Sequence, residues 1–345
     1  MIKTDKNTLR NYKFIDLFAG IGGFHLALES MGAECVFASE WDKFASETYE
    51  KNFHLKPFGD ITKIEEKNIP NHDILCAGFP CQAFSISGKQ KGFDDIRGTL
   101  FFDIARIVNF HKPKVLFLEN VKNLAKHDEG KTLKTIIKTL EELEYSVFTK
   151  VLNSSNFDLP QNRERVYIIA FHSSINSEKF RFPIPPNNPI CLENILEYEP
   201  KNAKVIERND IEIYKNYSVS NSLFSEIALL NKPIQIGKVN KGGQGERIYH
   251  TLGHAITLSA YGGGVGSKTG LYLVNGKIRK LSPRECARVQ GFPDDFILNS
   301  SDIQTYKQFG NSVSVNVIQH ILVEISNILK LNENQVTNKT KLEYA

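Results

Sequence analysis

Short apolar runs separated by helical patterns organise the first half of the chain. Six runs predict buried strands, at residues 14–18, 34–39, 73–77, 114–119, 145–152 and 165–171. Apolar residues at helical spacing predict four helices between them, at about 22–31, 41–52, 99–110 and 132–143. Strands that alternate with helices at these lengths predict an α/β fold with a doubly wound, mostly parallel sheet.

The pattern changes after a proline-dense stretch at residues 183–186. Helical periodicity fades from about 190 to 278, and eleven of the 23 glycines of the chain lie between 237 and 276. The pair Asn275-Gly276, between two short apolar runs, predicts a β-hairpin. This segment is therefore expected to be smaller, Gly-rich and mainly β.

Helical signals return at Ser282, which would cap a helix that has Pro283 at its first position. An apolar stripe over residues 313–329 then predicts a final helix, which must bury that stripe against the large sheet. The expected organisation is a large domain at 1–189, an inserted small domain at 190–278, a return to the large domain at 279–331 and a flexible tail at 332–345.

Composition is that of a folded globular protein, with 41% hydrophobic and 24% charged residues. No apolar run has membrane-spanning length, and the first residues lack the apolar core of a secretion signal. The five cysteines are scattered and form no Cys-x-x-Cys pair, so neither a disulfide framework nor a zinc site is expected. A reducing cytoplasm fits this pattern, with no metal and no membrane partner.

The formal net charge of +4 says little, but basic residues crowd two glycine-containing stretches. They are Lys89, Lys91 and Arg97, and then Lys238, Lys241, Arg247, Lys268, Lys277, Arg279 and Lys280. Positive charge on loops would suit a phosphate backbone. Lysines that only solvate loops would give the same pattern.

A Gly-rich turn at residues 16–23 joins the first predicted strand to the first helix, so backbone amides can approach a bound group closely. His25 stands where the dinucleotide fingerprint has glycine or alanine, which disfavours a pyrophosphate cofactor. Taken alone, the turn could also be a tight strand–helix connection.

Acidic and aromatic residues follow the next strands. Glu40, 20 residues after Gly20, can bind ribose hydroxyls, and Trp41 can stack on a purine. Asp60 and Ile61 would reach an adenine edge. Acids with aromatics suit a cationic nucleoside without phosphates, so S-adenosylmethionine is favoured over a nicotinamide cofactor.

Cys81 follows a strand that ends at Gly78, and the carboxyl ends of parallel strands are where ligands bind. A thiolate is intrinsically a strong nucleophile. A lone cysteine is usually structural, which fits Cys76 inside the strand. For Cys81 that interpretation leaves the polar, glycine-punctuated stretch at 82–97 unexplained, whereas a mobile lid would account for it.

Candidate partners of Cys81 come from the neighbouring strands. Glu119 ends the next apolar strand, where its carboxyl group could protonate a ring nitrogen; helix capping is the alternative. Arg163 and Arg165 share one face of a strand, and two guanidiniums could clamp a base carbonyl or a phosphate. A solvated strand edge is the alternative for the arginines.

Taken in order, six motifs resemble those of the bacterial DNA (cytosine-5) methyltransferase family. They are Phe-Ala-Gly-Ile-Gly-Gly, Gly-Phe-Pro-Cys-Gln, Glu-Asn-Val, Gln-Asn-Arg-Glu-Arg, Arg-Glu-Cys-Ala-Arg and Gln-Phe-Gly-Asn-Ser-Val. The resemblance covers roughly residues 12–170 and 236–330. It implies the S-adenosylmethionine-dependent methyltransferase fold, with the small domain recognising the DNA target.

The resemblance also implies residue roles. Cys81 would attack C6 of a flipped cytosine, Glu119 would act on N3, and Arg165 would hold the base carbonyl with Arg163 beside it. The cofactor pocket would be lined by Phe18, Gly20, Gly22, Gly23, Glu40, Trp41, Asp60, Ile61, Gly78, Leu100, Asn311 and Val313. DNA would be contacted by Gln82, Ser85, Ser87, Lys89, Arg97, Gln244, Arg247, Thr257, Tyr261 and Gly264.

A similar family member methylates the first cytosine of 5'-GCGC-3', so the resemblance implies that target, double-stranded DNA as partner, a restriction–modification setting with an endonuclease and action as a monomer. Residues 190–235 do not align, and residues 250–254 depart from the family pattern. His250 and His254 have helical metal-ligand spacing but lie in a strand-and-turn region, where packing or exposed histidines are expected.

Three alternatives compete with this interpretation. An RNA cytosine methyltransferase would carry a Cys-Phe-Thr tripeptide, which this sequence lacks. A non-catalytic DNA-binding protein would not need Cys81 and Glu119 together with a cofactor pocket. A nucleotide-dependent oxidoreductase is disfavoured by His25.

Overall fold

A six-stranded sheet forms the centre of the larger part of the protein. The computed structural model describes residues 7–80, 100–186, 188, 190–214 and 232–343, with side chains up to residue 335. The strands of this sheet are β1 (Lys13–Leu17), β2 (Glu34–Ser39), β3 (Ile74–Gly78), β4 (Val115–Val121), β5 (Tyr145–Asn153) and β6 (Glu164–His172). Their order across the sheet is β2-β1-β3-β4-β6-β5.

Four of these strands are parallel, which confirms the predicted mostly parallel sheet. β1 pairs in parallel with β2 and β3, and β3 pairs in parallel with β4. β6 runs antiparallel to both β4 and β5. The order reverses beside β1 and β3, so the carboxyl ends of β1 to β4 open into one crevice, where ligands of such sheets bind.

Helices cover both faces of the sheet. In the first half of the chain they are α1 (Gly23–Glu29), α2 (Lys43–Phe53), α3 (Leu100–His111) and α4 (Lys131–Glu142). On one face, Phe14 and Phe117 share a core with residues of α1 and of the last helix of the chain. On the other face, Leu75 and Leu116 pack with α3 and α4. The doubly wound α/β prediction is confirmed.

A second, smaller sheet follows. Its strands are β7 (Glu212–Ile213), β8 (Gln235–Lys238), β9 (Arg247–His250), β10 (Leu271–Val274) and β11 (Lys277–Arg279), in the order β11-β10-β9-β8-β7. β10 and β11 pair antiparallel around Asn275-Gly276, as the hairpin signal predicts. The small apolar core includes Ile236, Ile248 and Leu271.

The chain then returns to the large sheet through helices α5 (Pro283–Val289), α6 (Asp302–Asn311) and α7 (Val315–Glu343). Ser282 caps α5 in a reciprocal capping box with Glu285, and proline stands in its first turn. The apolar stripe predicted at the end of the chain is buried, as expected, in the core on one face of the large sheet, where the last helix also contacts α1.

Two features differ from the expectations. Helix α6 was not anticipated, because its buried face includes the polar residues Thr305 and Gln308 and therefore shows no apolar period. The segment at 332–345, expected to be a flexible tail, is helical as far as Glu343, because α7 continues to that residue; its flexibility remains a prediction. The first turn of this extension is held by side chains: Tyr12 Oη donates to Glu333 Oε1 at 2.6 Å, and Asn332 Nδ2 donates to Asn176 O at 3.1 Å.

Among the described residues, one helical stretch, Asp302–Gln335, is long and apolar enough to cross a membrane by length and composition. Its apolar window is 78% buried inside the protein. That burial is what a core helix of a folded domain requires, and it leaves little apolar surface for lipid.

Candidate active site

A cavity of about 620 Å³ opens at the carboxyl ends of β1, β2, β3 and β4. It gathers nine of the predicted cofactor residues, which are Phe18, Gly20, Glu40, Trp41, Asp60, Ile61, Gly78, Leu100 and Asn311. Three predicted catalytic residues, Glu119, Arg163 and Arg165, line the same cavity, and so does Tyr261 from the small segment. Residues far apart in sequence thus meet in one space.

The turn after β1 bends sharply under this cavity. Phe18 has φ 54° and Gly20 has φ 55°. The left-handed region is unfavourable for a bulky residue such as phenylalanine, so the surrounding structure must hold it there. An added Cβ on Gly20 would meet no atom within 4 Å, which means that the backbone here faces open space. A bound group can therefore approach this turn closely.

Glu40 fastens the turn. Its Oε2 accepts a hydrogen bond from the amide of Gly20 at 2.8 Å, and its Oε1 accepts one from the amide of Asp42 at 2.7 Å. Burial raises the pKa of Glu40, although these amides oppose the shift. Each carboxylate oxygen keeps a further lone pair for a hydroxyl group.

Two neighbours of Glu40 complete this wall. The Ser39 hydroxyl is buried at the cavity and has no hydrogen-bond partner among the described residues. Trp41 is 83% exposed, so its ring is free to stack on a planar group. On the adjoining turn, Asp60 accepts from the Thr62 hydroxyl at 2.8 Å, a hydrogen bond that lowers the pKa of Asp60.

Three predicted cofactor residues lie behind the cavity wall. An added Cβ on Gly22 would come within 2.2 Å of Phe53, and one on Gly23 within 2.6 Å of Val313. Val313 is itself 7% exposed. These three positions are absent from the cavity lining and serve the packing of α1 against its neighbours. Their direct contact with a cofactor remains a prediction.

The lining residues fit S-adenosylmethionine. Glu40 and Asp60 offer carboxylates, Trp41 a ring, and Ser39 an unsatisfied hydroxyl. Arg163, Arg165 and Lys307 are the cations of the described cavity lining, and each already contacts a carbonyl or carboxylate oxygen of the protein. This pairing disfavours a bound phosphate group. No group of three metal-ligating side chains occurs among the described residues.

Glu119 and Arg165 form an ion pair in the lining of the cavity. Glu119 pairs in register with Gly78, the last residue of β3, so its carboxyl group lies at the strand end that leads to Cys81. Arg165 Nε lies 3.2 Å from Glu119 Oε1. Burial raises the pKa of Glu119, and Arg165 and Arg163 oppose that shift. Burial thus favours the neutral form of this carboxyl group, and the neighbouring guanidiniums favour the charged form.

The segment between Gly78 and Cys81 is anchored to the next strand. Asn120 Nδ2 donates to the carbonyl of Phe79 at 2.8 Å, and the Asn120 amide oxygen accepts from the amide of Val121. Asn120 is thus a positioning residue that the Glu-Asn-Val motif contained without revealing its contact. Cys81 itself lies outside the described residues, as do the predicted DNA contacts Gln82, Ser85, Ser87, Lys89 and Arg97.

Arg163 binds the backbone rather than facing the cavity freely. Its guanidinium donates to the carbonyls of Leu258 at 3.2 Å, Gly310 at 3.3 Å and Ser312 at 2.7 Å. Burial lowers the pKa of Arg163, but a guanidinium stays protonated at neutral pH. Arg163 therefore ties β6 to the small segment and to the turn after α6, beside Arg165.

The remaining predicted DNA residues lie on the surface of the small segment. Gln244 is exposed on the loop before β9, Arg247 is exposed at the first residue of β9, and Gly264 is exposed on another loop. Thr257 is exposed too, and its hydroxyl donates to the carbonyl of Asn162 at 2.6 Å. Tyr261 is 77% exposed. Of these five residues, Tyr261 is the one that lines the cavity.

Sequence reasoning missed a cross-link over the cavity. Lys307 Nζ in α6 lies 2.6 Å from Asp42 Oδ2 at the start of α2, and both residues line the cavity. The hydrogen bond to Asp42 raises the pKa of Lys307. The two residues are 265 positions apart. No local signal could have paired them, whereas Ser39 could have been suspected from its position beside Glu40.

Comparison with known proteins identifies this arrangement. Residues 12–327 match the model of the family described as C-5 cytosine-specific DNA methylase. The chain belongs to the C-5 cytosine-specific DNA methylase family. It is 56% identical over 330 residues to the type II methyltransferase M.HhaI of Haemophilus parahaemolyticus, covering 95% of this chain and 98% of that protein. The predicted family and enzyme class, DNA (cytosine-5) methyltransferase, are confirmed.

Other members of the DNA methylase family are similar along most of their length. The type II methyltransferase M.HpaII of Haemophilus parainfluenzae is 44% identical and covers 92% of this chain and 90% of its own. Among solved structures, a putative DNA modification methyltransferase from a prophage of E. coli has a TM-score of 0.66 at 22% identity, covering 93% of this chain and 100% of its own. S. pombe Dnmt2 methyltransferase has a TM-score of 0.64 at 19% identity, covering 92% and 98%. These structures show the shared fold.

Proposed function

We propose that this cytosine-5 DNA methyltransferase is the modification enzyme of a type II restriction–modification system and methylates the first cytosine of 5'-GCGC-3'. S-adenosylmethionine is its methyl donor. The observation that carries the chemistry is the buried Glu119–Arg165 pair beside Gly78, three residues before Cys81. The target sequence rests on the 56% identity with M.HhaI over 95% of this chain.

The reaction needs the target cytosine outside the stack, because the cavity lies inside the protein. Cys81 Sγ then forms a bond to C6 while Glu119 places its proton on N3, so that electron density reaches C5. Arg165 holds both the base carbonyl and Glu119. When bound, S-adenosylmethionine supplies the methyl group. Transfer of the C5 proton to solvent water, return of the N3 proton to Glu119 and departure of Sγ from C6 restore the aromatic ring and free Cys81.

The division of the chain supports a two-sided cleft for double-stranded DNA. The domain at 1–189 and its return at 279–331 supply the chemistry, and the domain at 190–278 supplies target recognition through Gln244, Arg247 and Tyr261. Such an enzyme acts in the bacterial cytoplasm on the chromosome, as a monomer, because one site modifies one strand at a time. A restriction endonuclease that cuts the same sequence is the expected cellular partner.

The test is transfer of label from S-adenosylmethionine to cytosine C5 in a duplex. Wild-type protein should label the duplex and form a covalent adduct when the target is 5-fluorocytosine, which has no C5 proton to lose. Cys81→Ala should abolish both results while retaining specific DNA binding. Glu119→Gln should lower kcat about 100-fold or more, because the proton can no longer be delivered.

Failure of wild-type protein to label any cytosine-containing duplex would refute the proposal. Near-normal turnover by Cys81→Ala would refute the nucleophile assignment alone. The target is tested separately, by challenging plasmid DNA from producing cells with endonucleases of known specificity. Protection confined to 5'-GCGC-3' sites is expected, and cleavage at those sites would exclude that target.

A further inference from the structure

We infer that Arg208, Asp210, Asn240 and Glu246 form a brace that keeps the loop carrying Gln244 in its DNA-reading shape. This brace makes them positioning residues for target discrimination, and the inference rests on the proposed function. None of the four lines the active-site cavity. The observation that leads to it is a chain of hydrogen bonds that joins the segment before β7 to the loop between β8 and β9.

The braced loop has little intrinsic order. It runs from Asn240 to Glu246 and contains three glycines, two of which have positive φ, 76° at Gly242 and 80° at Gly245. Ordering a residue costs roughly 1–2 kcal/mol of backbone entropy, and glycine loses the most. A loop of this composition presents Gln244 reproducibly only if other contacts hold it.

Glu246 closes the loop across its base. Its Oε1 accepts from Asn240 Nδ2 at 2.8 Å, and its Oε2 accepts from the amide of Gly243 at 2.9 Å. One carboxylate therefore joins the first residue of the loop to its middle. Gln244, the next residue after Gly243, is exposed at the tip.

Asp210 and Arg208 extend this closure to the neighbouring edge strand. Asp210 Oδ2 accepts from the amide of Asn240 at 3.0 Å. Arg208 donates to both carboxylate oxygens of Asp210, at 2.6 and 2.8 Å, and to Asn240 Oδ1 at 2.7 Å. Because β7 pairs Glu212 with Lys238, Asp210 and Asn240 lie two residues further along the same antiparallel ladder.

The opposite side of the loop is held by backbone packing. An added Cβ on Gly245 would come within 2.2 Å of the carbonyl of Gly263, and the amide of Gly266 donates to the carbonyl of Gly245 at 2.6 Å. The loop is thus clamped between a second glycine loop and the brace. The brace consists of side-chain contacts, so it can be altered while the backbone packing is left in place.

The brace is exposed, and exposed ion pairs contribute little to global stability. Its effect should therefore appear in DNA recognition and leave the unfolding transition unchanged. A loop that samples several shapes enters the duplex less efficiently and distinguishes base pairs less sharply. A positioning role therefore predicts a change in DNA recognition, whereas a merely structural role predicts a change in the unfolding transition.

The experiment compares Asp210→Asn and Asn240→Gly with wild-type protein. Glycine is chosen because Asn240 has φ 47°, which glycine adopts without strain. Asp294→Asn is the matched control, since Arg288 and Asp294 form an equally close two-point pair, at 2.7 and 2.8 Å, away from the loop. The measurements are kcat/KM on the cognate duplex and on duplexes with one base pair changed, and the fluorescence of 2-aminopurine placed at the target base.

Each loop variant should lower kcat/KM for the cognate duplex about tenfold, as expected when one ordered residue is released. The ratio of kcat/KM for the cognate duplex to kcat/KM for an altered duplex should narrow, and the 2-aminopurine signal should fall, while Tm changes no more than it does in Asp294→Asn. Asp294→Asn should leave kcat/KM on every duplex and the 2-aminopurine signal at their wild-type values. If wild-type protein is active and both loop variants keep the wild-type ratio, the inference is overturned. If wild-type protein methylates no duplex, the proposed function fails instead.

Discussion

Individual buried residues behind the cavity differ in how well their polar atoms are satisfied. Asp16 at the end of β1 is fully buried, and neither of its carboxyl oxygens has a hydrogen-bond partner among the described residues. Burial raises the pKa of Asp16 well above its ordinary value, and the nearby backbone amide of His25 offsets only part of that shift. Asp16 therefore keeps its proton in the folded protein at pH values where the unfolded chain has lost it.

This difference makes the stability contribution of Asp16 depend on pH. The folded state binds the proton more tightly, so the free energy of unfolding falls as pH rises above about 4, by up to about 1.4 kcal/mol per pH unit until the raised pKa is reached. Asp16→Asn has no titratable carboxyl group at this position, so the pH-dependent fall in the free energy of unfolding should disappear. Urea unfolding at several pH values should show the variant gaining stability relative to wild type as pH increases.

Asp294→Asn is the control, because the pKa of Asp294 is shifted in the direction opposite to that of Asp16. Its hydrogen bond to Arg288 lowers the pKa of Asp294, so the stability from this exposed pair is present at neutral pH and is lost as pH falls through the lowered pKa. This variant should be less stable than wild type at pH 7, by under about 1 kcal/mol. A stability difference for Asp16→Asn that does not vary with pH would contradict the buried-acid account.

At the scale of elements, the cavity is closed by a contact between two helices that the sequence separates widely. α2 begins with Asp42 as its cap, which accepts from the amide of Ala45, and the same side chain pairs with Lys307 of α6. Trp41 precedes the cap. Because Lys307 anchors the start of α2, it also sets the position of the ring that is expected to stack on the cofactor.

Lys307→Met should weaken cofactor binding while preserving the packing of the lysine stem. Loss of a partly exposed ion pair of about 1 kcal/mol corresponds to roughly a fivefold higher Kd for S-adenosylhomocysteine. Trp41 is the single tryptophan of the chain, so quenching of its fluorescence reports binding directly. The wild-type Kd should rise with salt towards that of the variant. An unchanged Kd at low salt would show that the contact does not shape the pocket.

At the scale of the whole molecule, a buried network joins the small sheet to the returning helices. Arg279 at the end of β11 and Glu285 in α5 are 5% and 0% exposed, and their side chains meet at two points, each at 2.7 Å. Glu285 also accepts from the amides of Glu197 and Ser282. One carboxylate thus connects three segments where the chain passes from the small sheet to α5.

Glu285→Gln should destabilise the protein strongly, because it leaves the Arg279 charge buried without its counter-ion. The expected loss is about 3 kcal/mol or more in the free energy of unfolding, measured by urea denaturation. The exposed Arg288–Asp294 pair offers the comparison, since its loss should cost under about 1 kcal/mol. Equal losses in the two variants would show that burial does not control the contribution of Glu285.

The sequence alone determined most of the elements and the proposed chemistry, because these depend on local periodicity and on motifs. The hairpin at Asn275-Gly276, the cap at Ser282 and the strand that ends before Glu40 follow from neighbouring residues. Local signals failed where the buried face of a helix carries polar side chains, as in α6, and where a polar stretch continues a helix, as in α7.

Only the tertiary structure decided which distant side chains meet. It placed Arg163 on carbonyls of the small segment, paired Asp42 with Lys307, and packed Gly22 and Gly23 behind the cavity instead of in it. Such contacts depend on the strand order of the sheet and join residues that are far apart in the sequence. No local sequence pattern specifies contacts of this kind. The proposed nucleophile, Cys81, therefore comes from its motif, whereas the contacts of Glu119, Asn120 and Arg163 became visible only in three dimensions.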